Sequence, residues 1–227
     1  LKLALQLAEK NLGKTGQNPS VGSIVVKNNT VISSGVTSIK GRPHAEFNAL
    51  NKAKITAGST LYTSLEPCIH QGKTPPCTNI IIKKKIKKVI FALEDPDPRT
   101  FKKAKKILSI KGIKTKLIKS KKYSNFYRSY LLNKKFKTPF ISAKIAISKD
   151  YFTINKKEKW ITNILSRKIT HLIRSEHDGI ISTSKSINYD NALLNCRIEG
   201  LNKNKPDLFI IDLNLRLKKN ILLNKIL

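Results

Sequence analysis

The sequence predicts an α/β chain in two parts. A three-layer α/β domain with a mixed sheet spans residues 1–120, a helical linker spans 121–138, and a second, partial α/β domain spans 139–227. Three observations carry this. Strand-like and helix-like hydrophobic periods alternate along the first part. Lys119-Ser120-Lys121-Lys122 makes a charged break, and Thr138-Pro139 opens a new unit. The 227 residues are enough for one large or two small domains with real cores.

The elements follow in order. Leu3, Ala4, Leu7, Ala8 and Leu12 recur at helical spacing, and Gly13 and Gly16 stop that helix. Gln17-Asn18-Pro19-Ser20-Val21-Gly22 is a turn. Asn18, before a proline, is held extended, so its amide can face a ligand; an ordinary Asx turn is the plainer reading. Residues 23–27 and 31–36 are strands joined at Asn28-Asn29, a dipeptide that tolerates positive φ. Pro43-His44-Ala45-Glu46 opens a helix through residue 53. Residues 60–64 are a strand, and a helix begins near Pro75-Pro76-Cys77. Residues 88–93 are a strand, Asp95-Pro96-Asp97-Pro98 a rigid turn, 100–110 a helix and 115–118 a short strand. A helix at 124–133 carries Phe126, Tyr127 and Tyr130 on its apolar side. Residues 140–147 alternate as a strand, a helix follows Trp160-Ile161-Thr162 to about Arg174, and 179–181 and 208–212 are strands. There are no internal repeats.

The chemistry gathers at His44-Ala45-Glu46 and at the stretch from Cys68 to Cys77. One histidine and two cysteines are three zinc ligands, which leave the fourth tetrahedral position for a water, the catalytic arrangement. A metal there lowers the pKa of its water to about 7. Cys77 at a helix start favours its thiolate, the metal-binding form. Glu46, two residues after His44, is placed to shuttle protons. H-x-E followed by P-C-x-x-C is the zinc deaminase signature. Here Pro67-Cys68 opens the second half, but eight residues separate the two cysteines. Two plainer readings stand beside this one. They are a closed zinc knuckle with His70 as fourth ligand, or two unrelated buried cysteines; either leaves Glu46 without a role.

Thr63-Ser64-Leu65-Glu66-Pro67-Cys68, then Gly72-Lys73-Thr74-Pro75-Pro76-Cys77, closely resembles the deaminase half of the bifunctional riboflavin biosynthesis proteins, a pyrimidine deaminase joined to a reductase. The resemblance implies a cytidine-deaminase-like fold. It implies zinc held by His44, Cys68 and Cys77, with Glu46 as the catalytic acid and base. It also implies a substrate, 2,5-diamino-6-ribosylamino-4(3H)-pyrimidinone 5′-phosphate, held by Asn18 and by Lys73, whose charge suits an anion. Members usually carry Asn at position 97 and a Gly-x-Gly loop shortly after; this chain has Asp97 and then Phe101-Lys102-Lys103-Ala104.

From Lys144 onward the pattern resembles the start of the reductase half of the same family, a dihydrofolate-reductase-like domain that uses NADPH. The matching pieces are Lys144-x-Ala146-x-Ser148-x-Asp150, Lys159-Trp160-Ile161-Thr162, Arg174 with Asp178-Gly179-Ile180, Ser186 with Asp190, and Leu194 with Arg197. By that resemblance Ala146, Trp160, Ser186 and Asp190 lie near the cofactor. Arg174, Leu194 and Arg197 meet the ribose phosphate side of the substrate, arginine being the natural fork for phosphate. The glycine usual after Ser-x-Asp is Tyr151 here. The chain is read as a fragment whose second domain is incomplete, expected to deaminate but not to reduce.

The totals bound the partners. The formal charge of +31 suits nucleic acid or phosphorylated ligands. Lysine, isoleucine and asparagine are abundant throughout, however, without the aromatic and arginine interleaving that base stacking needs. The charge therefore reads as a bias of the whole chain, with no specific nucleic-acid partner. Three cysteines, two of them in a metal pattern, fit a reducing cytoplasm rather than a disulfide framework. No apolar run reaches the length of a membrane span, and no signal peptide is visible. Assembly into a homo-oligomer is left open. Against the leading reading stand a nucleic-acid base deaminase, favoured by charge alone, and a non-catalytic module with structural zinc.

Overall fold

Strand β1 (Gly22–Lys27) and strand β2 (Thr30–Val36) form an antiparallel hairpin turned by Asn28 and Asn29, at φ 47° and 59°. Two successive positive-φ residues give the turn a twist that matches its strands, and asparagine is among the few non-glycine residues that adopt it readily. Strand β3 (Thr60–Thr63) pairs antiparallel with β1. Strands β4 (Lys88–Phe91) and β5 (Lys114–Leu117) add in parallel, giving the order β2-β1-β3-β4-β5. Parallel neighbours need crossovers. Helix α3 (Cys77–Lys83) supplies one between β3 and β4, and helix α4 (Lys103–Ile110) one between β4 and β5. Helix α1 (Lys2–Glu9) precedes the sheet, and helix α2 (Ala45–Lys52) links β2 to β3. This computed structural model describes residues 1–153, 160–201 and 206–219; Lys159 of the second-half motif lies outside them.

Ile24 and Val25 are adjacent on β1, so they face opposite sides of the sheet, and both are buried. The sheet is therefore covered on both faces. Val25, Leu50, Leu61, Ile81, Val89 and Leu108 share one core cluster, which joins the sheet to α2, α3 and α4. Leu5 of α1 packs with Ala92 and Tyr123 in another. The position of α2 depends on Gly35 of β2. A Cβ there would lie 2.4 Å from the Ala45 carbonyl oxygen and from the Ala49 nitrogen, so only glycine lets the helix lie this close.

Register decides which loops meet. Gly22 pairs with Val36, Ser23 with Thr63, and Thr63 with Phe91. The start of β1 and the ends of β2, β3 and β4 thus share one edge of the sheet. Residues 18–21, 37–46, 64–77 and 95–99 all leave from that edge, where open α/β sheets place their ligands.

Residues 121–138, read from sequence as a linker around one helix at 124–133, hold two helices, α5 (Lys121–Phe126) and α6 (Arg128–Phe136). Both belong to the first compact unit, Leu1–Ile141. Between them Tyr127 is buried against Val21, Ala45 and Leu65. Its hydroxyl lies 2.6 Å from Ser64 Oγ and donates to the Ser20 carbonyl oxygen at 3.0 Å. A tyrosine buried with its hydroxyl satisfied ties these helices to the segment that leads into Cys68.

The second unit, Ser142–Leu227, has a parallel pair of strands, β6 (Gly179–Thr183) and β7 (Asp207–Ile211). Helix α7 (Ile164–Ser175) precedes them, and helix α8 (Ser184–Asp190) lies between them in sequence. Asn163 caps α7 by accepting from the Ser166 amide at 2.8 Å. The strand expected at 140–147 joins no sheet among the described residues. Alternation supplies a face, but a strand also needs a hydrogen-bonded neighbour, and sequence periodicity does not report one.

Candidate active site

His44 is the residue just before α2 and Glu46 is in its first turn; Glu46 is buried. Cys77 is the first residue of α3, after Pro76, and Cys68 lies on the loop after β3. The three ligand atoms, one nitrogen and two sulfurs, all lie within 4.8 Å of one another. His44 Nδ1 is 3.5 Å from Cys68 Sγ and 3.4 Å from Cys77 Sγ. A tetrahedral ion with Zn–S of about 2.3 Å and Zn–N of about 2.05 Å sets its nitrogen and sulfur about 3.6 Å apart. The donor set therefore fits zinc in type and in spacing. Using Nδ1 as the ligand atom puts the ring proton of His44 on Nε2.

The electrostatics suit the same ion. The Cys77 thiol bonds to Cys68 Sγ and pulls the Cys68 pKa well below the usual thiol range, with His44 adding to the effect. That contact, with burial, pushes Cys77 up. A metal bound here would displace the thiol protons. The Cys77 amide also donates to Cys68 Sγ at 3.3 Å. Burial pushes Glu46 up to about 7, against the pull of the His44 charge. Glu46 Oε2 lies 3.5 Å from Cys77 Sγ, beside the ligands.

A cavity of about 100 Å³ opens over this cluster. Its lining includes Asn18, Arg42, His44, Glu46, Cys68 and His70, together with Asp95, Asp97, Arg99, Tyr130 and Lys134. Glu66 is a structural staple, accepting from the amides of Asp95, Lys102 and Ala104, each at 3.1 Å. Tyr130 donates to Asp95 Oδ1 at 2.9 Å. Asp97 accepts from Arg99 Nη2 at 2.6 Å and from Lys134 Nζ at 3.2 Å. The Arg99 guanidinium holds the Asp97 carboxyl well below the usual range. The acid that stands where the family usually has Asn is thus matched by two cations of this chain.

The expected residues separate clearly. His44, Glu46, Cys68, Cys77 and Asn18 converge, with the Asn18 amide donating to the Gly41 carbonyl oxygen at 3.1 Å. Lys73 is exposed and does not line the cavity. His70 bonds to Thr100 Oγ1 at 3.2 Å and stands outside the ligand cluster, which removes the closed-knuckle reading. In the second unit Arg174 donates to the Asn195 carbonyl oxygen at 3.2 Å, Leu194 has φ 51°, and Arg197 bonds through its amide to His171 Nδ1 at 3.3 Å. Trp160 is exposed with the Arg167 guanidinium 4.5 Å over its ring; Ser186 lies in the first turn of α8, Asp190 ends that helix, and Ala146 is half-buried. Arg42, Arg99 and Lys134 were not expected at the site from sequence, and Tyr130 was expected only on the apolar side of its helix. A signal existed for two of them: Tyr127, Tyr130 and Lys134 stand at helical spacing on one face.

The first unit has a cytidine-deaminase-like α/β fold around a zinc-type donor set. The family profile for the cytidine and deoxycytidylate deaminase zinc-binding region matches residues 1–93. Along nearly all its length the chain is similar to the RibD riboflavin biosynthesis proteins. It is 36% identical to RibD of Aquifex aeolicus over 219 residues, 93% of this chain and 60% of that protein. It is 37% identical to RibD of Buchnera aphidicola over 92% of this chain and 57% of that one. Among solved structures, a diaminohydroxyphosphoribosylaminopyrimidine deaminase/5-amino-6-(5-phosphoribosylamino)uracil reductase from Thermotoga maritima superposes with a TM-score of 0.88 at 31% identity, covering 98% of this chain and 65% of that one. Acinetobacter baumannii RibD gives a TM-score of 0.86 at 30% identity, covering 98% and 64%. The chain spans about 60% of the length of the curated relatives it matches. Among the described residues no helix is long and apolar enough to cross a membrane.

Proposed function

We propose that the first unit hydrolytically deaminates 2,5-diamino-6-ribosylamino-4(3H)-pyrimidinone 5′-phosphate, a small phosphorylated pyrimidine of riboflavin biosynthesis. The observation that carries this reading is the His44, Cys68 and Cys77 triad with Glu46 buried beside it, in a chain related to RibD. Zinc, when bound, supplies activated water at neutral pH. Glu46 accepts the proton of the water that adds to the amine-bearing ring carbon. It then returns that proton to the departing nitrogen, so that a C–O bond forms, the C–N bond breaks and ammonia leaves. A carboxyl held near neutrality is suited to serve as base and then acid. Asn18 orients the ring from the opposite loop.

For the second unit the reading is part of a dihydrofolate-reductase-like domain of the kind that takes hydride from NADPH. Ala146, Trp160, Ser186 and Asp190 are assigned to the cofactor, and Arg174, Leu194 and Arg197 to the substrate. The similarity to the Thermotoga protein, described as deaminase and reductase, supports it. Three free cysteines agree with a cytoplasmic location. The test is ammonia release from the phosphorylated diaminopyrimidinone by the zinc-loaded chain, with NADPH titrated separately. Release from cytosine or adenosine in an oligonucleotide, and none from the pyrimidine, would favour a nucleic-acid deaminase instead.

A further inference from the structure

The exposed Lys73 leaves open what meets the phosphate inside the cavity. Arg42 lines that cavity two residues before His44. Its Nη1 donates to Thr74 Oγ1, on the loop between the two cysteines. Gly72 on the same loop lies against the guanidinium, where a Cβ would come 3.1 Å from Nη2. Thr74 takes one of the five N–H donors of the guanidinium. Of the cations lining the cavity, Arg99 and Lys134 pair with Asp97, while Arg42 makes no ion pair with a carboxylate among the described residues. The cavity thus contains a held guanidinium with spare donors and no acid partner. That chemistry suits a phosphate monoester, which accepts a forked pair of hydrogen bonds.

We propose that Arg42 receives the phosphate of the substrate's pentose, and that Thr74 fixes its orientation; this rests on the phosphorylated-pyrimidine reading above. Arg42 then sets specificity for phosphorylated over free pyrimidine nucleosides.

The zinc-loaded 227-residue chain is titrated calorimetrically with ribose 5-phosphate, as wild type, Arg42→Ala, Arg42→Lys and Arg42→Gln. Wild type binds, and Arg42→Ala weakens binding on the order of tenfold or more, the scale of a lost charge-assisted contact. Arg42→Lys recovers only part of it, because lysine lacks the fork. Arg42→Gln can still donate to Thr74 without the charge, so it reports the lost cation even if the alanine variant folds poorly. In the deamination assay the KM for the phosphorylated pyrimidine rises by the same factor, with kcat changed less than about threefold and the dephosphorylated nucleoside unaffected. Equal loss on both substrates, or lost zinc in every variant, makes Arg42 a brace for the loop and overturns the proposal. Unchanged ribose 5-phosphate affinity in Arg42→Ala with deamination intact overturns it too, and leaves the reaction standing. Binding that depends on Arg42 in a chain unable to deaminate the pyrimidine supports the anion site and removes the reaction.

Discussion

Replacing Tyr127 by phenylalanine removes one oxygen from the middle of a buried chain of hydrogen bonds. The Gly22 amide donates to Ser64 Oγ at 3.0 Å, Ser64 and Tyr127 share a 2.6 Å contact, and Tyr127 donates to the Ser20 carbonyl oxygen at 3.0 Å. With the Tyr127 hydroxyl used toward Ser20, the Ser64 hydroxyl is the donor between them. Tyr127→Phe leaves the Ser64 hydrogen and the Ser20 oxygen without these partners, both in the interior. An orphaned buried group costs about 1–3 kcal/mol, so with two of them the variant should lose about 2–6 kcal/mol. At about 2–4 °C per kcal/mol for a chain of this size, the first unit should melt at least about 4 °C lower. Scanning calorimetry of the zinc-saturated chain measures this directly. Zinc content should not change, because Ser64 lies four residues before Cys68 in the sequence and the ligands keep their own contacts. A melting temperature within about 2 °C of wild type would mean that the Tyr127 hydroxyl contributes nothing to the stability of the first unit.

Three further outcomes are expected. Glu46→Gln should keep zinc but deaminate at least ~100-fold more slowly, the scale of a general acid–base group; steady-state rates with metal analysis decide it. Cys77→Ser should lose zinc by elemental analysis while Cys196→Ser, altering a buried cysteine of the second unit, keeps about one ion per chain. Asp97→Asn should destabilise by about 1 kcal/mol at neutral pH, since Asp97 bridges Arg99 and Lys134. Its folded pKa is depressed, so its contribution is present above the ordinary aspartate value of about 3.9 and fades as pH falls below it. The melting difference between variant and wild type should therefore close in acid.

The sequence by itself determined the features that depend on near neighbours. Asn28-Asn29 marked the hairpin because its two residues alone decide whether the chain can turn there. His44 and Glu46 were legible because one helix start places both. The cysteines were legible through their residue type and the prolines beside them. Tertiary structure decided what depends on register and crossovers. Strand pairing of Gly22 with Val36 and of Thr63 with Phe91 brings four distant loops to one edge of the sheet. Only that convergence sets Arg42 against the cysteine loop, matches Asp97 with Lys134, and leaves Lys73 outside the cavity. It also makes α5 and α6 part of the first unit, through a contact between Ser64 and Tyr127 that spans 63 residues. No local period records such a contact, because its stabilisation comes from burial and from hydrogen bonds that form only once the sheet has fixed both partners.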